Sequence, residues 1–108
     1  MKWTVETLND TVDAEIAALP SDMQARYLRI AEMIERVGLE QVGEPQVKHL
    51  EGKLWEMRMT GRDGIARGLY VTTTGRRVVV VRVFVKKTQK TPRREIELAL
   101  ARAEEIGR

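Results

Sequence analysis

The run "RRVVVVRVFV" at residues 76–85 narrows the possible folds more than any other stretch of this 108-residue chain. Six of its ten residues are valine. β-Branched side chains suit an extended, pleated backbone better than a helix. Because the apolar character is continuous instead of alternating, the run reads as a central strand covered on both sides.

The rest of the chain is then read around that strand. "LWEMRMT" (54–60) alternates, with Trp55, Met57 and Met59 on one face and Glu56 and Arg58 on the other, and Trp55 is expected in the core. "GRDG" (61–64) is turn chemistry, "IARGLYVTT" (65–73) is a second strand, and "TG" (74–75) turns into the valine run, giving a three-stranded meander. At the start, "MKWTVE" reads as a short strand. A helix follows with Asp10 as N-cap and Val12, Ile16 and Leu19 on one side, and Pro20 stops it. "SDMQ" has the form of a capping box between Ser21 and Gln24. Met23, Tyr27, Ile30, Ile34 and Val37 then keep one apolar face up to Gly38, so the two helices should form an antiparallel hairpin. Residues 39–53 follow neither period and contain Gly43, Pro45 and Gly52, so a loop with one short turn is expected. The last helix has Thr91 as N-cap and Pro92 at its first position. The expected class is α+β: one domain over residues 1–108, an antiparallel sheet with a helical hairpin before it and a helix after it.

Several functions are excluded by composition. No run of about 18 apolar residues offers a membrane span, and "MKWTVETLND" is not a signal peptide. There is no cysteine, a single serine (the helix cap Ser21) and a single histidine, His49. That leaves little for disulfides, nucleophilic catalysis or a metal site. The glycines form no nucleotide-binding fingerprint. A cytoplasmic protein without metal or cofactor is expected. Charge is unevenly spread: residues 1–46 hold four bases against nine acids, residues 47–108 fifteen against seven. The second part is therefore a candidate basic face for phosphates or an acidic partner, or else solvated surface.

Cationic side chains are what remains for chemistry. Arg58, Arg67 and Arg82 lie inside strands, where a guanidinium must find solvent, a carboxylate or a phosphate. Glu56, Asp63 and Glu95 are the carboxylates within range of a purely structural pairing. Together the three arginines could share one phosphate and favour the extra charge of a phosphorane. Between the last strand and last helix, Lys86, Lys87, Lys90, Arg93 and Arg94 crowd a helix N-terminus that already favours anions. Mutual repulsion there can depress one lysine's pKa and make it a general base. Lys48 and Lys53 add cations on the approach to the meander. Tyr70 is a candidate for stacking on an RNA base. His49 is either a half-buried loop residue or an acid/base group.

These residues resemble a known family. "LEGKLWEMRM", "ARGLYVTT" and "VVVVRVFVKKTQKTPRREIELALARAEE" are similar to the phage-derived, HigB-like branch of the RelE/ParE toxin superfamily. The most specific piece, Phe84–Lys86–Lys87–Thr88–Lys90–Thr91–Pro92–Glu95–Ile96, resembles that branch's F-x-K-K-x-x-x-K-T-P-x-x-E-I, and Leu54–Glu56–Arg58 its L-x-E-L-R strand. The resemblance implies a RelE-like fold and the toxin of a type II toxin–antitoxin pair. It implies a metal-independent endoribonuclease that cuts mRNA on the ribosome, with Arg67, Arg58, Lys86 and Lys87 catalytic. Lys48, Lys53, Tyr70, Arg82, Lys90, Arg93 and Arg94 would then bind RNA. A cognate helix-turn-helix antitoxin is implied as partner. The ParE side of the superfamily implies instead a non-nuclease inhibitor of DNA gyrase, and a non-toxic phage-derived binder is a third reading. Two features depart from the family: the chain ends in a helix without a terminal tyrosine, and Ala66-Arg67 stands where Tyr-Arg is usual.

Overall fold

A computed structural model describes residues 2–86 and 90–106. In chain order the elements are β1 (Thr4–Thr7), α1 (Asp10–Ala17), α2 (Ser21–Val37), a single 3-10 turn (Leu39–Gln41), β2 (Val47–Glu51), β3 (Leu54–Gly61), β4 (Gly64–Thr73), β5 (Arg77–Lys86) and α3 (Arg93–Ala103). One five-stranded sheet has the order β1-β5-β4-β3-β2. The class is α+β, as the patterning indicates. None of the described helices is long and apolar enough to cross a membrane.

Two strands differ from the expectation. The segment read as loop contains β2, which pairs antiparallel with β3. Of its five residues only Val47 is buried, so it carries almost no apolar period. An edge strand held by backbone hydrogen bonds does not need one. The N-terminal strand β1 runs parallel to β5, so the sheet is mostly, not wholly, antiparallel. The helix caps differ as well. Asn9, not Asp10, caps α1, its side chain accepting from the Val12 amide at 3.1 Å. The Ser21–Gln24 box does not form; Gln24 Nε2 instead donates to the carbonyls of Ala17 and Leu19 at 3.1 and 2.8 Å. That satisfies acceptors left open where α1 ends. Pro92 replaces Thr91 as the residue capping α3.

Helices cover both faces of the sheet, as the valine run requires. On one face Val12, Met23, Ile30 and Ile34 pack against Met57, Met59, Tyr70, Val78 and Val80. On the other, Ile96, Ala99 and Ala103 of α3 pack against Leu54, Leu69, Val71, Val79 and Val81. Trp55 is not core: it is 39 % exposed. It lies beyond the reach of α2 on Met57 and Met59, and with Leu39, Val42 and Tyr70 it walls an apolar hollow of about 280 Å³.

One irregularity in β5 decides where its charges go. Leu69 stands opposite Arg82 and Tyr70 opposite Val80, so Val81 is an extra residue. A bulge of this kind reverses the facing of every residue after it. By strict alternation Arg82, Phe84 and Lys86 would point at α1 and α2. With the bulge they share the α3 face with Arg67, which is opposite Phe84.

Candidate functional site

α3 covers the apolar end of its face and leaves the other end to charged side chains. The register brings them together: Lys48 is opposite Glu56, Arg58 opposite Arg67, and Lys86 opposite Ile65, one step beyond the Arg67 pair. Like charges set directly across a strand pair repel. Glu56 offsets part of this. Its carboxylate lies 3.5 Å from Nη1 of Arg67, and the two residues are only 1 % and 2 % exposed. The other Glu56 oxygen accepts the Thr91 hydroxyl at 2.9 Å, tying the start of α3 to the centre of the sheet.

The compensation is incomplete. Arg67 Nε and Nη1 and Arg58 Nε are buried and have no hydrogen-bond partner. Buried polar groups are nearly always paired, so three orphan donors on two adjacent guanidinium groups call for an explanation. Burial, first of all, lowers the Arg67 pKa; Glu56 pulls it back up and Arg58 pushes it further down. Lys86 is likewise lowered, by burial first, then by Arg67, with Arg58 and Lys48 adding and Glu56 opposing. The folded protein thus holds a cluster of cations at an energetic cost. An anion among them would supply the missing acceptors and the missing charge. Guanidinium pairs bind phosphate through forked hydrogen bonds and favour states with more negative charge, while a lowered pKa makes a lysine more available as a base.

Other candidate residues lie elsewhere. Arg82 is taken up by Glu15 at 2.8 Å and Glu95 at 2.7 Å, and its guanidinium also lies over the Phe84 ring at 5.7 Å. Tyr70 faces α2 from the opposite side of the sheet and is 1 % exposed, which leaves no ring face for a base. Lys53 pairs with Glu104 at 3.4 Å on the surface. Arg93 forks onto Glu51 at 2.6 and 2.8 Å. Lys90 and Arg94 are exposed at the approach to α3 and in its first turn. Lys87 lies outside the described residues. His49 is exposed, 2.6 Å from the Gly52 carbonyl and edge-on to Trp55, on the face away from the arginines. Sequence reading treated Glu56 only as a possible ion-pair partner and Thr91 only as a cap. Alternation puts Glu56 on the face of Arg58, which is the signal that links it to the site.

Residues 14–104 match the family described as "Phage derived protein Gp49-like (DUF891)". Among solved structures, the fold is similar to that in the crystal structure of the archaeal RelE–RelB complex from Pyrococcus horikoshii OT3. The TM-score is 0.57 at 20 % sequence identity, covering 79 % of this chain and 96 % of that one. No curated protein matches. The matched region takes in the second half of α1, all of α2 and α3 and the whole meander, with the arginine cluster inside it, and the chain belongs to the Gp49-like family of phage-derived proteins, a RelE/HigB-type toxin family.

Proposed function

We propose that this RelE-type toxin is a metal-independent endoribonuclease acting on mRNA at the ribosome. The observation that carries the reading is the set of three buried guanidinium nitrogens of Arg58 and Arg67 that lack a hydrogen-bond partner. A phosphodiester bound there would accept from both guanidinium groups. In the reaction the 2′-oxygen bonds to the adjacent phosphorus, the bond from phosphorus to the 5′-oxygen breaks, and a 2′,3′-cyclic phosphate and a 5′-hydroxyl end remain. Lys86, whose pKa is lowered first by burial and then by Arg67, is the base that takes the 2′-hydroxyl proton when it is in its neutral form, and water supplies a proton to the departing 5′-oxygen. Arg58 and Arg67 carry the charge of the phosphorane. Glu56 holds Arg67 in place. Lys48 and Arg94, and Lys87 outside the described residues, extend the field that draws in RNA.

The Pyrococcus horikoshii RelE structure is a complex with RelB. By analogy this chain has a cognate antitoxin, a small helix-turn-helix protein whose acidic segment covers the same cations. The test is purified protein added to translating ribosomes, with message ends mapped. Cleavage with cyclic phosphate ends is expected, and Arg58→Gln should remove most of it while the fold is kept. Intact message, with filamentation and a DNA-damage response on expression, would overturn the reading in favour of a gyrase-directed toxin.

A further inference from the structure

A second basic pocket opens where the outer edge of β3 is left bare. β2 pairs with β3 only as far as Val47 opposite Met57, and the next contact is the Arg58 amide donating to the Gln46 carbonyl at 2.8 Å. Beyond that point α2 overhangs the edge, with Met23 and Tyr27 packed into the core and Arg26 between them on the flank. A cavity of about 170 Å³ results, lined by Arg26, Pro45, Gln46, Arg58 and Thr60.

Its chemistry is that of an anion site. Two of the five lining residues are arginines and none is acidic. Asp22, one turn before Arg26, is already engaged by the Arg62 amide at 2.6 Å. Among the described residues neither Arg26 nor Arg58 has an ion pair. Arg58 also stands opposite Arg67, so it belongs both to the pocket and to the cation cluster on the α3 face. Gln46 and Thr60 add an amide and a hydroxyl, which suit ribose hydroxyls. No aromatic residue lines the pocket, so nothing there stacks a base.

We infer that the Arg26–Arg58 pocket is a second phosphate subsite, taking the phosphodiester adjacent to the one bound by Arg58 and Arg67. RNA would cross the bare edge of β3 towards α2. This inference rests on the endoribonuclease reading above. Backbone contacts of this kind strengthen binding about equally for all sequences.

The experiment is binding of a fluorescent 2′-deoxy oligonucleotide, which cannot be cut, at several salt concentrations. Arg26→Ala should weaken binding roughly 3- to 10-fold, about the worth of one ordinary hydrogen bond, and lower the salt slope by about 0.7. Arg29→Ala, which removes an equal charge from the same helix outside the pocket, should change neither. Circular dichroism confirms that both variants fold. If the wild type binds and Arg26→Ala binds equally well with the same slope, the subsite is overturned and the main reading stands. If Arg26→Ala and Arg29→Ala weaken binding alike, the effect is general charge and the subsite is again overturned. Unchanged oligonucleotide binding with lost binding of a poly-glutamate peptide would assign the pocket to an acidic protein partner instead. A wild type that does not bind the oligonucleotide at all overturns the subsite, while the endoribonuclease reading stands or falls on cleavage at the ribosome.

Discussion

Glu56→Gln tests the electrostatics of the cluster with the least change in shape. The amide keeps an oxygen for the Thr91 hydroxyl but removes the negative charge beside Arg67. Arg67 is 2 % exposed and faces Arg58 across the strand pair, with Lys86 one step away. Removing one partner of a buried ion pair commonly costs about 3–5 kcal/mol. Here the contact is 3.5 Å and Nη1 has no formed hydrogen bond, so the cost falls at or just below the bottom of that range, about 2–3 kcal/mol. For a domain of this size that lowers Tm by roughly 10–20 °C. Urea unfolding should show the midpoint falling with little change in slope. Combining the substitution with Arg67→Met should cost less than the two separately, with a coupling of about 1–3 kcal/mol. Inorganic phosphate should raise the Tm of Glu56→Gln more than that of the wild type. A variant within about 0.5 kcal/mol of wild type, or strict additivity with Arg67→Met, would refute the reasoning.

Three further outcomes follow from the same structure. Lys86 has a lowered folded pKa, so between that value and the ordinary 10.5 the unfolded chain binds more protons and stability rises with pH. Phosphate, which favours the charged lysine, should therefore raise Tm more at pH 7 than at pH 10, and a pH-independent effect would contradict this. Burial raises Tyr27 to about 12 and raises Tyr70 further, so the folded protein holds these protons longer than the unfolded chain and stability should fall as pH rises from 10 to 12. Tyrosinate absorbance should appear together with loss of circular dichroism, not before it. A Cβ on Gly68 would lie 2.9 Å from Met57 Cγ and 3.5 Å from Met59 Cε in the core under α2. Gly68→Ala should accordingly cost about 1–3 kcal/mol by overpacking, measured as a drop in urea midpoint.

Patterning alone sufficed for the elements with strong periods. The valine run, the alternating 54–60 segment and the apolar stripe of α2 all occupy the elements their spacing implies. Strand β2 escaped because an edge strand is specified by its neighbour's backbone and not by its own side chains. The parallel pairing of β1 escaped because a short strand does not announce its partner. Trp55 illustrates a different limit: alternation gave its face correctly, but not how far α2 would extend over it. At the site, Arg58 and Arg67 were placed on adjacent strands by sequence, whereas the facing of Lys86 depends on the Val81 bulge, which has no composition signal. Arg82 carried the same apparent promise and is instead held by Glu95, a carboxylate the sequence already offered for such a pairing, and by Glu15, which α1 brings from a distant stretch. Arg67→Ala, which the sequence suggests as a clean test of catalysis, would leave Glu56 buried without its cation; Arg58→Gln is the cleaner variant.

The central claim is that buried guanidinium N–H groups of Arg58 and Arg67 await a phosphate. Arginine Nε–H resonances report on those atoms directly. In a titration with a 2′-deoxy oligonucleotide, the Nε–H signals of Arg58 and Arg67 should shift downfield together and saturate with the binding isotherm, while the Arg82 signal, held by its carboxylates, stays in place. Saturated binding that leaves the Arg58 and Arg67 signals unmoved would show that the nucleic acid sits elsewhere, and would contradict the assignment of this cluster as the phosphate site.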